Sequence, residues 1–196
     1  MYNTVMASKK TKSGMLTSIG YGDRSWESFL ERLHRNGIEY LIDVRSQPRS
    51  RQPEFNEEAL QILLKQAGIR YIFMGNELGG KPDDPSCFVD GKVDYARCEQ
   101  RQAYRSGLER LRAAIAGGHR VALMCSELDP ERCHRSKLIG QTLQKEGTEL
   151  SHIDRDGECV SQQVVIERIT GGQGALFGQS FTSIGRYEPQ SMEGMQ

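Results

Sequence analysis

The chain has 196 residues, a length typical of one domain, and 26 basic residues balance 26 acidic ones, so its formal charge is zero. This balance disfavours both a globally basic nucleic-acid-binding protein and an acidic, solvating chain. No apolar run approaches the roughly 20 residues of a membrane-spanning helix, and the first residues lack the apolar stretch of a signal peptide, so we expect a cytoplasmic protein.

Strands and helices alternate along the chain from about residue 15 to residue 169. Apolar runs predict strands at 16–19, 40–44, 69–74, 121–124 and 150–153. Apolar stripes at helical spacing predict one helix capped by Ser25, a second capped by Asn56, and further helices near 104–115, 134–146 and 161–169. We expect the stretch between residues 74 and 104 to be irregular.

The predicted strands are continuous apolar runs, which is typical of parallel strands covered by helices on both faces. We therefore predict a single α/β domain over residues 15–169, a three-layer sandwich with a mainly parallel, roughly five-stranded sheet. Residues 1–14 should form a flexible basic N-terminus. The glycine-rich C-terminal tail, 170–196, should be partly disordered or packed back on the domain.

The five cysteines are an odd number without a C-x-x-C pair, so we expect free thiols in a reducing compartment. Any disulfide would then be catalytic or redox-sensing. The cysteines are Cys87, Cys98, Cys125, Cys133 and Cys159.

Polar segments follow the carboxyl ends of the predicted strands, and a parallel sheet brings these ends to one edge, where ligands bind. The arginines of these segments suit phosphate or carboxylate recognition, although solvated loops are the commoner setting for such residues. A structural role for the aspartate in the second strand is as well supported as a catalytic one. The candidate ligand-binding residues are Gly20, Tyr21, Asp43, Arg45, Arg49, Arg51, Arg135 and Ser136.

The segment after the fourth predicted strand carries the most chemistry. Cys125 directly follows a buried strand, and Cys133 and His134 lie near a helix start, where amide groups and a neighbouring arginine stabilise a thiolate. We expect these three residues to be catalytic, with Glu127 and Glu77 as further acid or base groups. The alternative is that both thiols are buried and the loop only binds a ligand.

A metal is a second interpretation of the same segment. Cys125, Cys133, His134 and His152 offer the thiolate and imidazole ligands that zinc prefers. The Cys-x7-Cys-His spacing is not a recognised zinc pattern, and adjacent ligands are geometrically awkward, so no metal site is favoured. Zinc or iron nevertheless stays open as a cofactor. The absence of phosphate-loop and dinucleotide-binding glycine motifs disfavours nucleotide triphosphate hydrolysis and dinucleotide redox chemistry.

Several segments of the chain resemble the domain of unknown function 488 family, in order and over about residues 16–155. These segments are Ser18-Ile19-Gly20-Tyr21, Leu41 through Ser50, Phe55-Asn56, Asn76-Glu77-Leu78-Gly79-Gly80, Cys125-Ser126-Glu127 and Cys133-His134-Arg135. The resemblance supports the fold and the site and implies no particular reaction. A weaker resemblance to rhodanese-like sulfurtransferases rests on Ile42-Asp43-Val44-Arg45 and on the Cys125 to Ser136 segment, whose loop is longer and more acidic than theirs.

These observations predict an enzyme, a cysteine-dependent transferase or hydrolase, with a Cys/His/Arg site for a small anionic or nucleotide-like substrate. Two alternatives stay open. One is a nucleic-acid-processing or nucleic-acid-binding protein that uses the arginine-rich loops, and the other is a metal-binding protein through Cys125, Cys133 and His134. We expect no membrane partner, and the sequence does not determine the oligomeric state.

Overall fold

The computed structural model describes residues 14–172 and 181–187. The predicted flexible N-terminus, apart from its last residue, and most of the predicted tail therefore lie outside the described residues. Within the described ranges, no helix is long and apolar enough to cross a membrane.

Eight strands and seven α-helices form the described part of the chain. The strands are β1 (Met15–Gly20), β2 (Tyr40–Asp43), β3 (Arg70–Phe73), β4 (Phe88–Val89), β5 (Lys92–Val93), β6 (Arg120–Cys125), β7 (Ser151–Ile153) and β8 (Cys159–Ser161). The helices are α1 (Trp26–Arg35), α2 (Glu57–Gln66), α3 (Gly75–Leu78), α4 (Tyr95–Cys98), α5 (Gln102–Ala116), α6 (Gln141–Lys145) and α7 (Gln162–Thr170). A π-helical segment, Arg135–Gly140, precedes α6.

Six strands form one sheet in the order β3-β2-β6-β1-β7-β8. All neighbours in it are parallel except β7 and β8, so the predicted α/β class with a mainly parallel sheet is confirmed. The prediction missed β8, because this edge strand has only three residues and no buried apolar run. It also missed a separate antiparallel hairpin, β4 and β5, in the stretch expected to be irregular.

The residues that precede α1 and α2 have different roles. Ser25 caps α1 as predicted, since its hydroxyl accepts a hydrogen bond from the amide of Ser28. Asn56 precedes α2 as predicted, but its side chain does not cap the helix. Its Oδ1 instead accepts from the amide of Ser50 at 2.8 Å and closes the preceding loop.

Two apolar cores lie on opposite faces of the sheet. One core contains Phe29 of α1 and Leu60 of α2, packed with Ala122 and others on the sheet. The other contains Leu108 of α5, packed with Val121. Consecutive β6 residues fall in different cores because strand side chains alternate between faces. This arrangement is the predicted three-layer sandwich.

The sheet changes its winding direction between the adjacent strands β1 and β6. The chain leaves β1 toward α1 in the first core, whereas it leaves β6 toward the π-helical segment in the second core. Open α/β sheets bind ligands in the crevice at such a point. Gly20 ends β1 here, and a Cβ at this position would overlap the carbonyl oxygen of Glu127. The glycine therefore permits the loop after β6 to cross the end of β1.

Residues 181–187 of the predicted tail pack on the β4–β5 hairpin. The amide of Ser183 donates to the carbonyl of Val93 at 2.9 Å, and the amide of Tyr95 donates to the carbonyl of Phe181 at 3.1 Å. The amide of Tyr187 donates to the carbonyl of Gly91. These contacts hold residues 181–187 beside the carboxyl edge of the sheet.

Candidate functional site

Asp43 and Arg45 form a buried ion pair at the end of β2. Arg45 Nη2 lies 2.5 Å from Asp43 Oδ2, and the Tyr71 hydroxyl donates to the same oxygen at 2.9 Å. Arg45 Nη1 also donates to the carbonyl of Phe55 at 2.8 Å. Burial opposes the charge on Arg45, but the hydrogen bonds and charge of Asp43 outweigh it and raise the pKa of Arg45. Both residues were predicted to bind a ligand; the structure pairs them with each other, and Arg45 also lines the cavity described below.

Tyr21 and Ser136, two other predicted ligand-binding residues, are also buried in internal contacts. The ring of Tyr21 stacks on Phe55 with a centroid distance of 4.3 Å. The hydroxyl of Ser136 donates to the carbonyl of Pro130 and lies 3.2 Å from the carbonyl of Cys133. Both side chains therefore support the loops at the edge of the sheet.

Cys125, Cys133 and His134 meet at the carboxyl end of β6, and we name them the Cys-Cys-His cluster. Nδ1 of His134 lies 3.9 Å from Sγ of Cys125 and 3.6 Å from Sγ of Cys133. The three atoms that could bind a metal all lie within 4.8 Å of one another, and all three residues are buried. The three residues that the sequence predicted to be catalytic therefore lie next to one another in the fold.

A backbone carbonyl determines the tautomer of His134. Nε2 of the ring lies 3.0 Å from the carbonyl oxygen of Val44, which can only accept a hydrogen bond. In the neutral ring, Nε2 therefore carries the hydrogen, and the lone pair of Nδ1 faces both sulfur atoms. Gly80 covers the ring so closely that a Cβ there would lie 2.7 Å from its Cγ.

Arg135 is wholly buried behind the cluster and is not part of the cavity lining. Its Nε donates to Sγ of Cys133 at 3.2 Å, and its Nη1 donates to Oγ of Ser18 at 3.2 Å. Its Nη2 donates to the carbonyl of Glu127. Arg135 was predicted to bind the ligand, but the structure makes it an electrostatic partner of Cys133.

The two thiols of the cluster have opposite pKa shifts. Burial alone would raise the pKa of Cys133, but the hydrogen bond from Cys125 and the charge of Arg135 outweigh it and lower that pKa. The hydrogen bond to Cys133 and burial both raise the pKa of Cys125. Of the two thiols, Cys133 therefore ionises more readily than Cys125.

A cavity of about 790 Å³ opens in front of the cluster. Segments that follow β2, β3 and β6 line it, together with the hairpin and residues 181–187. Cys125, Cys133 and His134 line one part of it, and Arg49 and Arg132 also line it. The segments after β1 and β7, which were expected to contribute, do not reach the lining.

Of the three remaining predicted site residues, one lines the cavity and two do not. Glu127 is exposed and lines the cavity. Glu77 lies outside the lining and forms an ion pair with Arg110 at 2.6 Å. Arg51 is exposed and also outside the lining. Glu77 and Arg51 are therefore separate from the cavity.

A buried hydrogen-bonded chain behind the cluster was not foreseen. His152 Nδ1 lies 2.6 Å from Oγ of Ser18, and its Nε2 lies 2.7 Å from Oε1 of Gln162. Burial lowers the pKa of His152 to about 4, so the ring is neutral at pH 7. The available signal was the occurrence of Ser18 and His152 inside apolar strands, since buried polar groups need partners.

The donor and the acceptor of each hydrogen bond in this buried series can be assigned. Gln162 Nε2 donates to the carbonyl of Ser136 at 3.0 Å, which leaves its Oε1 to accept from His152. His152 Nδ1 then accepts from the hydroxyl of Ser18, and Ser18 Oγ accepts from Arg135. His152, considered as a zinc ligand from the sequence, therefore supports Arg135 and lies outside the cluster.

Comparison with known proteins identifies one family. Its model, described as "Domain of unknown function DUF488", matches residues 25–141, which is more than half of the chain and includes the whole cluster. No curated protein and no solved structure matches the chain, and the rhodanese-like similarity is not shown. The chain belongs to the domain of unknown function 488 family.

Proposed function

We propose that the chain is an enzyme, a cysteine-dependent transferase or hydrolase, that acts on a small anionic substrate in the cavity. The Cys-Cys-His cluster is its reacting centre. One observation carries the proposal: the cavity joins this cluster to arginines that have no polar side-chain partner among the described residues. A thiolate is the reactive form of cysteine, both as nucleophile and as metal ligand, and Arg135 stabilises that form at Cys133.

The arginines at the cavity differ from most of those on the surface. Arg49, Arg132 and Arg186 line the cavity, are exposed, and form no ion pair within residues 14–172 and 181–187. Elsewhere, six arginines that are exposed or half-buried pair with Asp or Glu, namely Arg35, Arg97, Arg110, Arg112, Arg155 and Arg168. Arginines left free beside a concave site are suited to bind carboxylate or phosphate.

The charge and size of the cavity support the same substrate class. Among the described residues, four cationic residues besides the paired Arg45 line it, whereas two carboxylate residues, Asp83 and Glu127, do so. Its volume lies within the range of about 300–1,000 Å³ typical of small-molecule sites. Phe88 and Tyr187 also line it, and their rings can contact a planar group, which supports a nucleotide-like substrate.

Inorganic phosphate is the probe that tests this proposal. We expect isothermal titration calorimetry to show phosphate binding that Arg49→Ala or Arg132→Ala weakens at least about tenfold, because each substitution removes a charge-assisted contact. Arg51→Ala is the matched control, since Arg51 is an exposed arginine two residues along the same loop but outside the cavity. Equal weakening by Arg49→Ala and Arg51→Ala would contradict a site in the cavity.

Nucleic-acid binding is the second candidate, and exposed Arg49 and Arg51 on one loop favour it. A nucleic-acid backbone would contact both arginines, and its affinity would fall steeply with salt concentration. We expect instead that a nucleoside monophosphate binds in the cavity and that Arg51→Ala does not affect it. An oligonucleotide that binds more tightly than the monophosphate and loses affinity with Arg51→Ala would establish the second candidate.

The redox state of the cysteines is consistent with a cytoplasmic setting. All five cysteines are free thiols, and four of them are buried. Free thiols persist in reducing compartments, so we propose that the enzyme works in the cytoplasm.

A further inference from the structure

We infer that the Cys-Cys-His cluster binds a thiophilic divalent cation of the Zn²⁺ type, with one coordination position open to the cavity. This inference rests on the proposed function, because it states how the reacting centre acts on an anion. Two cysteine sulfurs and one imidazole nitrogen form a ligand set that zinc uses in catalytic sites. All three residues are buried, unlike the exposed acidic groups that are common on protein surfaces without a metal.

The distances from the imidazole nitrogen to the two sulfurs suit a tetrahedral site. Zinc lies about 2.3 Å from a thiolate sulfur and about 2.0–2.1 Å from an imidazole nitrogen, so tetrahedral angles place sulfur and nitrogen about 3.6 Å apart. The observed separations from His134 Nδ1 are 3.6 Å to Cys133 and 3.9 Å to Cys125. Cys133 and His134 are adjacent in sequence, yet both side chains meet Cys125. The geometric objection raised by the sequence therefore does not apply.

Hydrogen bonds with neighbouring groups orient the His134 ring and contact the Cys133 sulfur in a way that suits a bound cation. The carbonyl of Val44 accepts from Nε2 of His134 and orients the ring with Nδ1 toward the sulfurs, as backbone carbonyls do for metal-bound histidines. Arg135 donates to Sγ of Cys133 at 3.2 Å, and this outer contact orients the sulfur and offsets the negative charge of a metal-bound thiolate.

Charge and access connect the cation to the proposed substrate. A divalent cation neutralises the two thiolates, and buried Arg135 then leaves one net positive charge beside the cavity, which attracts an anion. All three ligands line the cavity, so the fourth position of a tetrahedral cation opens into it. A cation with such a position polarises a substrate oxygen or lowers the pKa of a bound water, which favours a hydrolase over a transferase.

Metal titration of the full-length protein tests the inference. We expect the reduced, chelator-treated protein to take up one equivalent of Zn²⁺ in competition with a colorimetric chelator. Cys125→Ser, Cys133→Ser and His134→Gln should each lower the affinity more than about 100-fold, because loss of an outer contact alone costs about 10- to 100-fold. Cys98→Ser is the matched control, since Cys98 is a buried free thiol outside the cluster.

X-ray absorption at the zinc edge removes the dependence on variants that could fail to fold. For the wild-type protein with one Zn²⁺, we expect two sulfur ligands at about 2.3 Å and one imidazole nitrogen at about 2.0–2.1 Å. A shell without sulfur, or no stoichiometric uptake by the reduced protein, would overturn the metal site.

The phosphate and zinc experiments fail independently. Phosphate binding that requires Arg132 in a protein unable to bind Zn²⁺ overturns the metal site and leaves the proposed function. Stoichiometric Zn²⁺ uptake with phosphate binding that is insensitive to Arg49 and Arg132 supports the metal site and overturns the anionic-substrate proposal.

Discussion

Replacing Asp43 by alanine is expected to lower the free energy of unfolding by about 3–5 kcal/mol, because it leaves the Arg45 guanidinium buried without its counter-charge. Asp43 is fully buried and Arg45 is 4% exposed, so water cannot replace the lost carboxylate. The Tyr71 hydroxyl would also lose its acceptor. Chemical denaturation followed by circular dichroism measures the change.

Two controls separate this effect from ordinary loss of an ion pair. Glu31→Ala removes the carboxylate of an exposed pair with Arg35 and should cost less than about 1 kcal/mol. The double variant Asp43→Leu/Arg45→Met removes both charges and should recover part of the stability lost in Asp43→Ala. A cost below about 1 kcal/mol for Asp43→Ala would show that Arg45 is not held as the structure indicates.

Acidification is expected to remove about 3 kcal/mol of stability through His152 alone. Its pKa is 6.5 in the unfolded chain and about 4 in the folded protein, mainly because of burial. The unfolded state therefore binds the proton more tightly, and each pKa unit corresponds to about 1.4 kcal/mol. The contribution is complete above pH 6.5 and is lost as the pH falls from 6.5 through 4.

The environment of His152 explains the low value. The ring is completely buried, it accepts from Ser18, and the charge of Arg135 further disfavours a second positive charge. Only the hydrogen bond to Gln162 and the charge of Cys133 favour protonation, and they do not compensate for burial. Nuclear magnetic resonance of the His152 ring should therefore show titration near pH 4.

Denaturation of the wild type and of His152→Gln at pH 7 and at pH 4.5 isolates this contribution from the carboxylates. We expect the variant to lose less stability between the two pH values than the wild type, because it lacks the titrating ring. An identical loss in both proteins would mean that His152 is protonated as readily in the folded state as in the unfolded chain.

The positions of individual residues show how far the sequence determines the site. The cysteines and histidine of the cluster could be predicted, because they follow a recognisable strand and a parallel sheet brings strand ends to one edge. Whether each arginine is paired, exposed or buried could not be predicted. Arg45, Arg49 and Arg135 all belong to polar segments that follow strands. The structure pairs the first with Asp43, gives the second no ion-pair partner among the described residues and buries the third.

The sequence by itself determined the α/β class, most element positions and the cap at Ser25, because apolar spacing and capping act between residues close along the chain. Only the tertiary structure decided the strand order, the distances within the Cys-Cys-His cluster and which residues line the cavity. These features depend on contacts between distant residues, such as His134 with the Val44 carbonyl and His152 with Ser18. Local patterns carry no information about such pairings, because burial and partner geometry arise only when the strands assemble into a sheet.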